Sequence, residues 1–349
     1  MNILVSKMNF LGDALVFLPT LYGMVENIKG CKLYVITTPI GKEVIEGAVP
    51  VEDLFIYEYN ELRNMWKNPF KLYRLLSRLK EINFETACFS YDEPSTAYLV
   101  AYLAGIRRRI GFDNNIAKLN FLLNESIKFE FDKNVVDINF DLVRYITGNN
   151  EIKPQRVPIK YREKDKEKVD SILHEIGVLR NDKFLVIHPF AKFHYREWFL
   201  SAYFTLEELI EERFSLPAIF ISDKPQEIFN KYGKRLISGL SVKELAYLIS
   251  RSTLFIGNNS GPMNIAGVMG TPTLIIQGPS SPHWDIYWQG IHYKITAQLP
   301  CVPCERIGYV PMQCYNELYP LGCMKEISVE MVFAKVYEIL QKLGVVISQ

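Results

Sequence analysis

Thr253–Gly278, TLFIGNNSGPMNIAGVMGTPTLIIQG, constrains the chain more than any other stretch. It reads as an apolar strand, a turn of small polar residues, a short helix and a second apolar strand, a βαβ corner of the kind that builds parallel sheets. Asn258, Asn259, Ser260 and Gly261 supply turn and N-cap chemistry, Pro262 suits the first helical position, and Gly270 closes the helix. Such a turn aims unpaired backbone N–H groups and the helix dipole at one point, and Gly261 lets a phosphate approach closely. An ordinary βαβ corner without a ligand has the same pattern, so the stretch alone leaves both readings open.

The same alternation runs through the rest of the chain. In the first half, Asn2–Lys7, Lys32–Thr38, Asp53–Tyr57, Thr86–Ser90 and Arg109–Phe112 read as strands. Helical stretches lie between them: Ala14 onward, Gly41–Ala48, Pro69–Lys80 and Ser95–Ala104. Asp137–Thr147 is a further helix, and the polar, proline-bearing stretch Gly148–Arg162 is the domain link. The second half restarts the pattern. Phe184–Pro189 and Pro217–Ser222 are strands, and Asp165–Ile176, Trp198–Arg213, Pro225–Arg235, Val242–Arg251 and Ser328–Leu343 are helices. The expected fold class is therefore α/β, two doubly wound Rossmann-like domains. The boundaries are 1–155, 156–325 and a last helix within 326–349.

At 349 residues the chain is long enough for two such domains. A net charge of +1 gives no global field for nucleic acid. No apolar run approaches a membrane span, and the N-terminus lacks a signal-peptide pattern, so the expected location is cytoplasmic. Between Arg63 and Lys80 stand six basic residues and no acidic one, interleaved with Trp66, Phe70, Leu72 and Tyr73. That pattern fits first a helix with one buried and one solvated face, and as an alternative a helix contacting an anionic acceptor or membrane surface.

Cys301, Cys304, Cys314 and Cys323 cluster as C-x2-C-x9-C-x8-C. In a cytosolic chain this favours a structural zinc or iron over disulfides, with reduced thiols as the second reading. Four protein ligands leave no position for substrate, so a catalytic metal is not expected. Asp13 follows Gly12, which opens a turn after the first strand. From spacing alone Asp13 is an N-cap, and the alternative is a carboxylate held at the sheet's ligand-binding edge. His188, before Pro189, reads as a core histidine rather than an acid or base.

Several stretches in order resemble glycosyltransferase family 9, the ADP-heptose:lipopolysaccharide heptosyltransferases. ILVSKMNFLGDALVFLPTLYGM resembles the family's strand, G-D turn and helix. AYLAGIRRRIGF, VIHPFAKFHYREWF and the segment from GLSVKELAYL to LIIQGP resemble three further family segments, and the cysteine cluster resembles a tail found in many members. The resemblance implies the GT-B arrangement, two domains facing a cleft, the first for the acceptor and the second for the nucleotide sugar, with the last helix crossing back to the first. It implies inverting transfer without a catalytic metal, from a nucleotide-diphosphate sugar such as ADP-heptose to a glycan, lipid-linked or protein acceptor at the cytoplasmic face of the inner membrane.

Residue by residue, Asp13 matches the family's base. Arg196 matches a lysine that neutralises the diphosphate, and Lys192 in the same loop is a second candidate. Ser260, Gly261 and Pro262 match the donor-phosphate turn, and Glu227 stands where a ribose-binding carboxylate is expected. Asn259 and Asn264 depart from the family's usual Asp and His. Both remove a titratable group beside the expected diphosphate, which motivates a catalytically silent nucleotide-sugar-binding protein as the alternative. Another two-Rossmann nucleotide-sugar enzyme, such as an epimerase, is a further one, and the Gly12–Asp13 turn argues against it.

Overall fold

The structure is a computed structural model; it describes residues 1–7, 10–113, 118–284, 291–306 and 309–346. The chain divides into two compact units, Met1–Lys160 and Tyr161–Gln349.

In the first unit, β1 (Asn2–Lys7), β2 (Lys32–Thr37), β3 (Asp53–Ile56), β4 (Thr86–Phe89), β5 (Arg108–Asp113) and β6 (Glu125–Lys128) form one sheet in the order β3-β2-β1-β4-β5-β6. The pairings are parallel, with Ile3 opposite both Leu33 and Thr86. The central β1 and β4 are buried almost throughout, as a sheet covered on both faces demands. The helix Leu11–Asn27 lies against the helix Val135–Thr147. Their close approach depends on Gly23, where an added Cβ would stand 2.5 Å from the Phe140 ring.

The second unit repeats the plan. β7 (Leu185–His188), β8 (Ala218–Ser222), β9 (Leu236–Ser238), β10 (Leu254–Asn258), β11 (Thr273–Ile276) and β12 (His292–Ile295) pair in parallel in the order β12-β11-β10-β7-β8-β9. An aromatic core of Trp198, Tyr203, Phe204, Phe220 and Phe229 fills one face. The two six-stranded sheets are the α/β, doubly wound class read from the sequence.

Three details differ from expectation. The first helix begins at Leu11, so Gly12 and Asp13 lie inside its first turn rather than in a turn before it. The expected helix Pro225–Arg235 is only Glu227–Lys231; Gly233 takes a φ of +64° and the chain enters β9. The short strands β6, β9 and β12 carry too few residues to announce themselves by periodicity. The last helix is Val329–Lys342. Its buried Val332, Val336, Ile339 and Leu340 belong to the second unit's core, beside the helix Leu200–Phe214. Among the described residues no helix is long and apolar enough to cross a membrane.

Candidate functional site

In a doubly wound sheet, ligands bind outside the carboxyl ends of the strands, where the strand order reverses. Each unit has one such point, and each collects polar side chains there.

In the second unit the order reverses between β7 and β10. β10 ends at Asn258, Ser260 is the N-cap in extended conformation, and the helix Gly261–Met269 follows with Pro262 in its first turn. The helix's first backbone N–H groups have no intrahelical acceptor, which leaves them directed at whatever lies beyond the strand ends. The Ser260 hydroxyl does not cap its own helix; its Oγ is 3.1 Å from Nδ1 of His188, at the end of β7. The two sides of the switch point are thereby tied together.

A cavity of about 270 Å³ opens beside this pair. It is lined by His188, Ile221, Ser222, Asp223, Ile237, Leu240, Leu245 and Pro262. Apolar walls with a few polar groups suit a flat heterocycle and a sugar next to the phosphate turn. His188 is thus a site residue as well as a buried one. Asp223, one residue past β8, is the carboxylate on this cavity. Glu227, to which that role was assigned, is exposed on its own short helix and does not line it.

Burial holds the His188 imidazole neutral, lowering its pKa from 6.5 to about 4. Between those two values the unfolded chain binds a proton that the folded chain refuses, so stability falls as pH drops from 6.5 to 4. His292 is lowered to about 4 as well, by burial and then by Lys294. Urea unfolding should therefore show an acid-side loss, of which His188 supplies about 2–3 kcal/mol by linkage. The His188→Gln variant should lose that share of the pH dependence; an unchanged slope would refute the assignment.

Asn258 organises the loop between β7 and the helix Leu200–Phe214. It is fully buried; its Oδ1 accepts from the Trp198 backbone N–H at 3.0 Å and the Tyr203 hydroxyl at 3.1 Å, and its Nδ2 donates to the Pro189 carbonyl at 2.7 Å. Sequence reading saw only a turn residue here. The clamped loop carries exposed Lys192 and mostly buried Arg196. Arg196 Nε donates to Glu305 Oε1 at 2.7 Å, and its guanidinium lies over the rings of Phe193 and Trp284. Asn259 and Asn264 are both nearly buried, at 8% and 7% exposure. At that depth a neutral amide avoids the desolvation cost that an acidic side chain carries next to an anion.

In the first unit the order reverses between β1 and β4. Lys7, at the end of β1, is buried, with Nζ 2.6 Å from Asp92 Oδ1 and 3.1 Å from Ser90 Oγ. Ser6 donates to Glu93 Oε2 at 2.6 Å, and Glu93 is itself buried. Burial pulls the Lys7 pKa down, but Asp92, Asp13 and Glu93 together outweigh it, and the net shift is upward. The ammonium therefore stays charged. Asp13 occupies the third position of the first helix, where its Oδ2 accepts from the Phe10 backbone N–H at 3.1 Å. It helps to cap the helix from within, not as the N-cap itself. Lys7, Ser90, Asp92 and Glu93 were not anticipated. Their only sequence signal was polarity at the ends of two apolar strands.

The four clustered cysteines line one cavity of about 350 Å³, with Tyr195, Pro279 and Tyr319. Thiolates suit zinc or iron, and burial with neighbouring thiols raises Cys304 and Cys323 to about 11. The geometry does not fit, however. Among the described residues no three Cys, His, Asp or Glu side chains converge on a point that an ion would occupy. The expected structural metal is not supported.

The sequence model described as glycosyltransferase family 9 (heptosyltransferase) matches residues 72–311. A lipooligosaccharide heptosyltransferase 2 of Campylobacter jejuni is 23% identical, over 98% of this chain and 99% of that one. Among solved structures, a glycosyl transferase family 9 protein from Veillonella parvula superposes with a TM-score of 0.77 at 16% identity, covering 98% of this chain and 97% of its own. An ADP-heptose LPS heptosyltransferase II from E. coli gives 0.73 at 18%, covering 98% and 99%.

Proposed function

The chain belongs to glycosyltransferase family 9 and is a glycosyltransferase; on that premise we propose that it moves heptose from ADP-heptose to an anionic lipooligosaccharide-core acceptor, with inversion and without a catalytic metal. The observation that carries this reading is the second unit's switch point. There the Ser260–Pro262 turn, the His188–Ser260 pair and a cavity for a nucleoside lie together. The diphosphate goes to the helix N-terminus and to Arg196, with Lys192 as a second cation, and Asp223 takes the ribose hydroxyls. Both named heptosyltransferases among the similar proteins support the choice of sugar.

Asp13 acts as the base, taking the proton of the acceptor hydroxyl as it attacks the anomeric carbon. The phosphate turn and Arg196 stabilise the charge that develops on the departing diphosphate. The charged Lys7 favours Asp13 in its ionised form. Incubation of the purified protein with ADP-heptose and a heptose-bearing core acceptor, read by mass spectrometry and by the anomeric configuration of the product, tests the reading. Nucleotide binding without turnover would instead support a silent nucleotide-sugar-binding protein, the alternative that Asn259 and Asn264 motivate.

A feature of the first unit supports an anionic acceptor. The helix Pro69–Ile82 buries Leu75 and Leu79, while Trp66, Phe70 and Tyr73 stand 59%, 69% and 70% exposed. Lys71 and Arg78 pair with Glu61 and Asp53, whereas Lys67 and Arg74 lie over the rings of Trp66 and Phe70. A solvated helix face has no use for three exposed rings, but an anionic lipid-linked glycan or the membrane that holds it does. The Trp66→Ala/Phe70→Ala double variant should raise KM for a lipid-linked acceptor about tenfold, a loss of 1.4 kcal/mol, and leave KM for ADP-heptose unchanged. Equal effects on both substrates would count against the assignment.

A further inference from the structure

Glu305 lies in the cysteine-rich segment, outside the motifs that point to donor binding. It is completely buried, and its Oε1 accepts from Arg196 Nε at 2.7 Å and from the Tyr195 hydroxyl at 2.6 Å. Among the described residues its Oε2 has no hydrogen-bond partner. The Tyr195 hydroxyl also lies 2.7 Å from the Pro311 carbonyl, and Trp198 Nε1 donates to the Ile327 carbonyl at 2.9 Å. Three side chains at the β7 loop's downstream end, Tyr195, Arg196 and Trp198, are therefore held by residues of the segment 305–327. Glu305 N donates in turn to the Pro279 carbonyl at 3.0 Å, just past β11.

We propose that Glu305 is a positioning residue for donor binding, fixing the plane of the Arg196 guanidinium so that its outer two nitrogens are presented to the donor diphosphate. A guanidinium is planar, so pinning Nε between a carboxylate and the aromatic faces of Phe193 and Trp284 leaves little freedom of rotation. Among the described residues the two Nη groups make no hydrogen bond, so the fork that matches two phosphate oxygens stays open. Burying the carboxylate makes the tether stiff, because a buried charge has no water to turn to. The cysteine-rich segment then has a task that needs no metal: it carries a buried carboxylate to the donor loop. The inference rests on the reading of Arg196 as a diphosphate group.

The test measures binding of ADP and of adenosine to the full-length protein by calorimetry, for Glu305→Gln, Tyr195→Phe, Arg196→Ala and the Glu305→Gln/Arg196→Ala double variant. Glu305→Gln should weaken ADP about tenfold and leave adenosine unchanged, since only the diphosphate meets Arg196. The double variant should bind ADP no more weakly than Arg196→Ala alone, and should melt higher than it, because Arg196→Ala strands a buried carboxylate that the double variant removes. Tyr195→Phe should give a smaller ADP loss of the same kind, which keeps the inference testable if Glu305→Gln does not fold. An ADP loss in Arg196→Ala without one in either Glu305→Gln or Tyr195→Phe would overturn the role of Glu305 and leave that of Arg196 standing. No ADP loss in Arg196→Ala would overturn the reading of Arg196 itself.

Discussion

The Asp13→Asn variant is expected to retain ADP-heptose affinity and to lose about a hundred- to ten-thousand-fold in kcat, the usual contribution of a positioned general base. Asn is the informative replacement, because Asp13 also serves the helix. Its Oδ2 accepts from the Phe10 backbone N–H, and the Asn side-chain oxygen can do the same. A fall in stability is thus separated from a fall in turnover. The measurement is kcat with ADP-heptose and acceptor, alongside the melting temperature. A variant that turns over near the parent's rate would remove Asp13 from the mechanism and leave it a helix residue. The neighbouring Lys7 carries a corollary. Its ammonium, buried against Asp92 and Ser90, keeps the carboxylate cluster from accumulating unbalanced charge. A pH profile of kcat should accordingly show an acid limb that moves up when Lys7 is replaced by Met.

The second large effect is expected at Asn258. Its amide satisfies the Trp198 backbone N–H, the Tyr203 hydroxyl and the Pro189 carbonyl, all inside the core. Asn258→Leu keeps the approximate size and leaves three buried polar groups without that partner. At about 1–3 kcal/mol for each group so stranded, and with partial relaxation, unfolding free energy should fall by about 3–5 kcal/mol. The loss should appear as a shift of the urea midpoint without a change in slope. Because Asn258 joins β10 to the loop bearing Lys192 and Arg196, ADP affinity should drop with it. A midpoint that hardly moves would show that water or relaxation replaces the lost bonds, and that the clamp is dispensable.

Much of this protein is legible in one dimension. Short, mostly apolar runs at the strands, separated by helical stretches, specify parallel α/β units, because a strand buried on both faces keeps polar residues to its ends. The turn Ser260–Pro262 also announces itself, since an N-cap, a glycine and a proline in sequence have few other uses. The short strands β6, β9 and β12 were missed for the opposite reason. Three or four half-exposed residues, such as Leu236–Ser238, carry no period of their own and become strands only because a neighbour offers hydrogen bonds.

The functional side chains divide along the same line. Asp13, Arg196 and Ser260 are candidates from sequence because each lies within a recognisable local pattern. Lys7, Asp92 and Glu305 are not, because what defines them is a partner far along the chain. Lys7 meets Asp92 at a separation of 85 residues, and Arg196 meets Glu305 at 109. A charged residue's burial is decided by that partner, since an unpaired charge would stay in water. The sequence by itself therefore determined the layering of the fold and the strand, turn and helix around Ser260–Pro262, both consequences of local hydrophobic period and turn chemistry, while the strand order that sets the two switch points came from the structure. Only the tertiary structure decided which carboxylate lines the cavity beside His188, which lysine stays charged beside Asp92 and which glutamate holds Arg196, because desolvation acts on residues brought together in space.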